Sequence, residues 1–132
     1  MQVREAMSTT VLTIGPDHTL REASRQMLIR KVGAAVVHDP DGAGIGILTE
    51  RDVLHSVGAG QDADVEKVRD HLTAELVFAA PSWTLDQAAE AMAHGGFRHL
   101  MVLEGGDVAG IVSVRDIMAC WSRERSANEL VG

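Results

Sequence analysis

Two tetrapeptides in this chain, Thr49-Glu50-Arg51-Asp52 and Ser113-Val114-Arg115-Asp116, share one chemical pattern: a hydroxyl, then an arginine, then an aspartate three residues after the hydroxyl. Each follows a run rich in Val, Ile and Leu and opens a stretch whose apolar residues recur at helical spacing. The hydroxyl therefore falls at a strand-to-helix junction, where unpaired backbone amides and the positive end of the helix dipole favour an anionic group such as a phosphate. An ionised carboxylate in the first turn can accept hydrogen bonds from two neighbouring hydroxyls, which a neutral side chain does less well. Arg51 and Arg115 add positive charge beside it. The same spacing is also a helix cap that needs no ligand, because Ser or Thr accepts an amide hydrogen while the acid reaches back to the cap amide. The repeated arginine contributes nothing to capping, which favours binding.

Other reactive side chains are sparse. The six histidines, at positions 18, 38, 55, 71, 94 and 99, show neither HxxxH nor HExxH spacing, so they are expected on surfaces and loops rather than around a metal. Cys120 is the single cysteine, which permits no intramolecular disulfide or multi-thiolate site; with no base paired to it, it reads as a small buried or interface residue. No catalytic residue, metal or required cofactor is expected, and the chain is read as not an enzyme. At 132 residues with 45% hydrophobic and 23% charged residues it is globular. Aromatics at 3% and a net charge of −7 argue against a nucleic-acid partner. The opening MQVREAMSTTVL has no apolar signal core, and no run approaches the roughly 18 apolar residues of a spanning helix; a cytoplasmic protein with no membrane partner is expected.

The elements that must position the tetrapeptides occur twice. Shifting the chain by about 65 residues pairs Val3 with Val68, Arg4 with Arg69, Pro16 with Pro81, Thr19 with Thr84, Leu20 with Leu85, Ala23 with Ala88 and Met27 with Met92; after one gap, Gly46 meets Gly110 and Asp52 meets Asp116. Each copy starts with a β-rich run, VLTI (11–14) or ELVFA (75–79), closed by Pro16 or Pro81. Thr19 with Glu22, and Thr84 with Gln87, read as capping boxes opening helices whose Leu, Ala and Met line a core. AAVVH with GIGIL, and HLMVL with VAGIV, read as hairpins turned at Asp41-Gly42 and Gly105-Gly106. The last helices, 50–57 and 114–123, are expected to turn Val53, Leu54, Val57, Ile117, Met118 and Trp121 inward. The fold class is thus α/β (α+β): two β-α-β-β-α repeats, 2–58 and 67–123, a polar linker 59–66 and a frayed tail 124–132. One copy buries too little apolar area to offset its chain entropy, so the copies are expected to pack about a pseudo-twofold axis with one shared core and two equivalent clefts.

MSTTVLTIGPDHTLREASRQM followed by VGAAVVHDPDGAGIGILTERDVL closely resembles the cystathionine-β-synthase (CBS) domain family, and ELVFAAPSWTLDQAAEAM followed by FRHLMVLEGGDVAGIVSVRDIM resembles it again. The twice-present GI-hydrophobic-(S/T)-x-R-D ending is the specific part. Together the copies span about residues 2 to 123, like the tandem arrangement called a Bateman module. The resemblance implies a regulatory sensor that binds an adenosine-containing ligand (AMP, ADP, ATP or S-adenosylmethionine) in clefts between the repeats. It places Thr49, Arg51 and Asp52, and Ser113, Arg115 and Asp116, on ribose and phosphate. It places the base beside Thr13, Ile14, Gly33, Ala34 and Ala35 in the first copy, and beside Phe78, Ala79, Arg98, His99 and Leu100 in the second. Ala34 and Ala35 leave room, whereas Arg98 and His99 suit phosphate better than adenine. Val36 and Met101 stand where many relatives have proline. The resemblance further implies a homodimer formed through the repeated helices and an unidentified effector protein. A ligand-free dimerisation or interaction module is the alternative.

Overall fold

The chain order of β-rich, helical and hairpin segments is realised twice in a computed structural model that describes residues 1–41, 44–74 and 76–131. The elements are α1 (Val3–Ala6), β1 (Thr13–Ile14), α2 (Leu20–Arg30), β2 (Ala34–Asp39), β3 (Gly44–Thr49), α3 (Glu50–Gly58), a 3-10 turn (Val68–Asp70), β4 (Phe78–Ala79), α4 (Leu85–Gly95), β5 (His99–Glu104), β6 (Asp107–Ser113) and α5 (Val114–Val131). This is the mixed α+β class expected, with two three-stranded sheets ordered β1-β2-β3 and β4-β5-β6. In each sheet the short first strand runs parallel to the middle one, and the middle strand pairs antiparallel with the third. Only two residues of each expected first strand join a ladder; Val11 and Val77 lie outside it, and Glu75 and Gly42 lie outside the described residues.

The second hairpin turns as its glycines require: Gly105 and Gly106 have φ of 62° and 87°, the paired left-handed conformation that matches strand twist in a two-residue turn. Thr84 and Gln87 form a complete capping box. Thr19 accepts the Glu22 amide at 3.1 Å, but the Glu22 carboxylate meets His18 Nδ1 at 2.7 Å rather than closing the box. A histidine four residues away competes successfully for that carboxylate. At the other end, α5 continues to Val131 instead of ending near Arg123. The stretch Ser122–Val131 contains no Gly or Pro to stop it and is rich in good helix formers.

Two compact units result: residues 11–76, here the first unit, and residues 1–10 with 77–132, the second. Val68 is fully buried in the first unit, where its amide donates to the His18 carbonyl at 2.9 Å and that of Arg69 to the Pro16 carbonyl at 2.9 Å. Val3 is fully buried in the second unit, its amide donating to the Trp83 carbonyl at 2.7 Å and that of Arg4 to the Pro81 carbonyl at 3.1 Å. Each leading segment thus packs in the unit that holds the strands of the other repeat. Each unit has its own cluster of buried apolar residues: Leu12, Ile14, Leu20, Ala23, Met27, Ala35, Val37, Leu48 and Val68 in the first, and Val3, Ala79, Leu85, Ala88, Met92, Leu100, Val102, Val112, Ile117 and Cys120 in the second.

The last helix of each repeat buries a narrower stripe than expected. Ile117 and Cys120 are buried on α5, and Val53 packs on the core with Ser56 buried on α3. Leu54, Val57, Met118 and Trp121, expected inward, are instead 67%, 55%, 60% and 40% exposed. The inward positions are spaced i, i+3, and their neighbours at i+1 and i+4 lie on the next stripe around the helix. Ser56 is satisfied there by donating to Gln61 Oε1 at 2.7 Å.

Candidate functional site

Each strand-to-helix junction is assembled by one hairpin strand and the helix it feeds. In the first unit β2 pairs Ala34 with Thr49, and the Glu50 amide donates to the Gly33 carbonyl at 3.0 Å. Gly33, Ala34, Thr49, Arg51 and Asp52 therefore meet at one end of the sheet. Thr13 and Ile14 pair with Val36 and Val37, further along β2 than Ala34; Ile14 and Ala35 join the core cluster, and Thr13 is exposed. The second unit repeats the plan. His99 pairs with Ser113, and the Val114 amide donates to the Arg98 carbonyl at 2.9 Å, bringing Arg98, His99, Ser113, Arg115 and Asp116 together. Phe78 and Ala79 pair with Met101 and Val102, and Ala79 and Leu100 are core.

Both aspartates close capping boxes. The Thr49 amide donates to Asp52 Oδ2 at 2.8 Å and the Asp52 amide to Thr49 Oγ1 at 3.3 Å; the Ser113 amide donates to Asp116 Oδ2 at 2.9 Å and the Asp116 amide to Ser113 Oγ at 3.0 Å. The cap draws on Oδ2 in each case and makes no use of Oδ1. It orients a half-buried carboxylate at the helix start, and Arg51 and Arg115 sit on exposed positions beside it. Capping and ligand contact are thus compatible uses of one side chain. Thr73, which the tetrapeptide pattern did not single out, donates its hydroxyl to Asp52 Oδ2 at 2.7 Å. Its signal was the repeat itself, since it stands where Ser8 stands in the other copy.

The segment leading to Thr73 is fastened to the first unit by charge. Arg69 bonds Asp17 Oδ1 at 2.7 Å and the buried Asp39 Oδ2 at 3.0 Å, and Arg21 pairs with Asp64; within the segment, His71 Nε2 and Glu66 Oε1 are hydrogen-bonded at 2.8 Å. Hydrogen bonding from Arg69 holds the Asp17 carboxyl below its ordinary range. Among the described residues no group of three or more His, Cys, Asp or Glu is placed to hold a metal, and no helix is long and apolar enough to cross a membrane.

Two tandem repeats of this β-α-β-β-α plan, each ending in a capped S/T-x-R-D junction, define the class of protein, and the chain belongs to the CBS domain family, whose model matches residues 3–59 and 68–122. It is 33% identical over 116 residues to the CBS domain-containing protein YhcV of Bacillus subtilis, covering 87% of this chain and 81% of that one. The crystal structure of the CBS-domain containing protein ATU1752 from Agrobacterium tumefaciens superposes with a TM-score of 0.82 at 35% identity, covering 91% of this chain and 98% of that one. The CBS domain pair of protein MJ0100, solved in complex with 5′-methylthioadenosine and S-adenosyl-L-methionine, shares the fold with a TM-score of 0.82 at 18% identity, covering 94% of this chain and 98% of that one.

Proposed function

We propose that this chain is a regulatory module that binds an adenosine-containing ligand (AMP, ADP, ATP or S-adenosylmethionine) at its capped junctions and passes that state to a separate effector protein. The observation that carries the reading is the junction itself: a helix N-terminus with a carboxylate oriented by its own cap and an arginine beside it, built twice in a CBS-family chain. The helix start suits phosphate, the carboxylate suits ribose hydroxyls, and Gly33 and Ala34 leave space for a base. The MJ0100 pair, holding two adenosine compounds on the same fold, supports this ligand class. No catalytic step is assigned to any residue. A ligand acts by preferring one conformation over another, and its differential affinity sets the size of the response.

Calorimetry and thermal unfolding with the four ligands test the reading. Binding heat and a rise in melting temperature are expected, about 1.4 kcal/mol of added stability at roughly ten times Kd, with the heat reduced in Asp116→Ala. No heat and no thermal shift into the millimolar range with any of the four overturns it.

A second feature favours assembly. Leu28, Val32, Leu54 and Val57 are exposed in the first unit, and their repeat equivalents Ala93, Phe97, Met118 and Trp121 line an apolar groove of about 190 Å³ in the second. Apolar surface at matching positions of two helix pairs supports a homodimer joined through these faces. If the junctions bind nothing, assembly is the function that remains.

A further inference from the structure

The two junctions share one pattern and differ in the hydroxyls that reach the carboxylate. Thr73 lies beside β3, its amide donating to the Ile47 carbonyl at 3.0 Å and its hydroxyl to Asp52 Oδ2 at 2.7 Å. Ser8, its repeat equivalent, lies beside β6 in the same way, with its amide donating to the Ile111 carbonyl at 2.9 Å. The Ser8 hydroxyl, however, turns to the Thr10 carbonyl at 3.3 Å. Asp52 Oδ2 consequently accepts the Thr49 amide at 2.8 Å, the Thr49 hydroxyl at 2.9 Å and the Thr73 hydroxyl at 2.7 Å. Asp116 Oδ2, among the described residues, accepts the Ser113 amide alone, at 2.9 Å.

A carboxylate offers about four lone-pair sites over its two oxygens, so three donors saturate Oδ2 of Asp52. A vicinal diol is held best with one hydroxyl on each oxygen, and at Asp52 that arrangement requires displacing Thr73 and turning the Thr49 hydroxyl, which rotates about its C–O bond, to another acceptor. At Asp116 both oxygens retain capacity. We infer, building on the ligand reading above, that Thr73 is a positioning residue that locks Asp52 into a structural cap, so the repeats are unequal and Asp116 is the carboxylate open to a ribose diol.

Calorimetric titration with AMP and with S-adenosylmethionine tests this on the full chain. The wild type and Thr73→Ser, which keeps the donor, should each take up one equivalent per chain. Asp116→Asn should weaken that event about tenfold or more, the loss of a hydrogen bond to a charged group. Thr73→Val, isosteric but without a donor, should gain a second binding event, and the Thr73→Val/Asp116→Asn double variant should keep that second event. A merely structural Thr73 would lower stability without adding binding. Two equal equivalents in the wild type, or no added event in Thr73→Val, overturn the inference. If none of AMP, ADP, ATP and S-adenosylmethionine binds the wild type, the ligand reading fails and thermal unfolding decides the lock separately. The melting loss caused by Thr73→Val should then vanish in an Asp52→Ala background; the same loss in both backgrounds overturns the lock.

Discussion

A β-carbon added to Gly110 would stand 2.5 Å from the Ser8 carbonyl oxygen, whereas one added to Gly46 would stand 2.8 Å from Leu72 Cδ1. The repeat matches these glycines, and their surroundings rank them. Backbone at Ser8 is tied into the sheet through its bonds with Ile111 and has little freedom to retreat, while the Leu72 side chain can turn aside. Gly110→Ala is therefore expected to cost about 1–3 kcal/mol, in the range of overpacked cores, and Gly46→Ala clearly less, as read from urea unfolding of the two variants. Equal costs would mean that the leading segments yield as easily as a leucine methyl. The sequence showed that both positions are glycine and equivalent; which neighbour crowds each depended on where Met7-Ser8 and Leu72-Thr73 lie. The same holds for Thr73 and Asp52, whose bond spans 21 residues of chain, and for Glu22, diverted from its capping box by His18.

At the scale of elements, the segment that opens the second repeat packs as part of the first unit. Val68 is buried there and Arg69 joins Asp17 to the buried Asp39. The hydrogen bond from Arg69 lowers the Asp17 pKa relative to its usual value of 3.8. A carboxyl whose folded pKa is lowered contributes stability above its unfolded pKa and loses it as pH falls through the folded value. The contribution is thus full above about pH 4 and fades below it. Arg69→Gln should melt at lower temperature than the wild type near neutrality, and the gap should narrow in acid below about pH 4. A gap constant with pH would assign the role of Arg69 to packing of its stem instead. The helices and hairpins themselves were legible from caps, Gly105-Gly106 and apolar spacing, because those signals act over a few residues. Short α1 and the 3-10 turn were not, since what stabilises them is burial of Val3 and Val68 in distant partners.

For the whole molecule, the exposed apolar stripe on the repeated helices carries the assembly prediction. Leu54 and Trp121 occupy the stripe beside the buried one, and a charge on either should leave the core clusters intact. Light scattering at tens of micromolar should give a two-chain mass for the wild type, and Leu54→Glu or Trp121→Glu should shift it toward one chain with the far-ultraviolet circular dichroism unchanged. A wild type that scatters as a single chain removes the proposed dimer. Helical periodicity drew Leu54, Val57, Met118 and Trp121 inward because it reports that a helix has an apolar side without reporting how wide the covered part is.

What the amino-acid sequence determined by itself is the repeated α+β plan, the order of its elements, the family and the two hydroxyl-arginine-aspartate junctions, all of which are written in contacts between residues close along the chain or in the comparison of one copy with the other. Tertiary structure alone decided which unit each leading segment joins, which side of the last helices stays exposed, and that Thr73 but not Ser8 reaches the aspartate. Those choices turn on contacts between residues far apart in sequence, where two copies of one pattern offer equivalent partners and only packing selects between them.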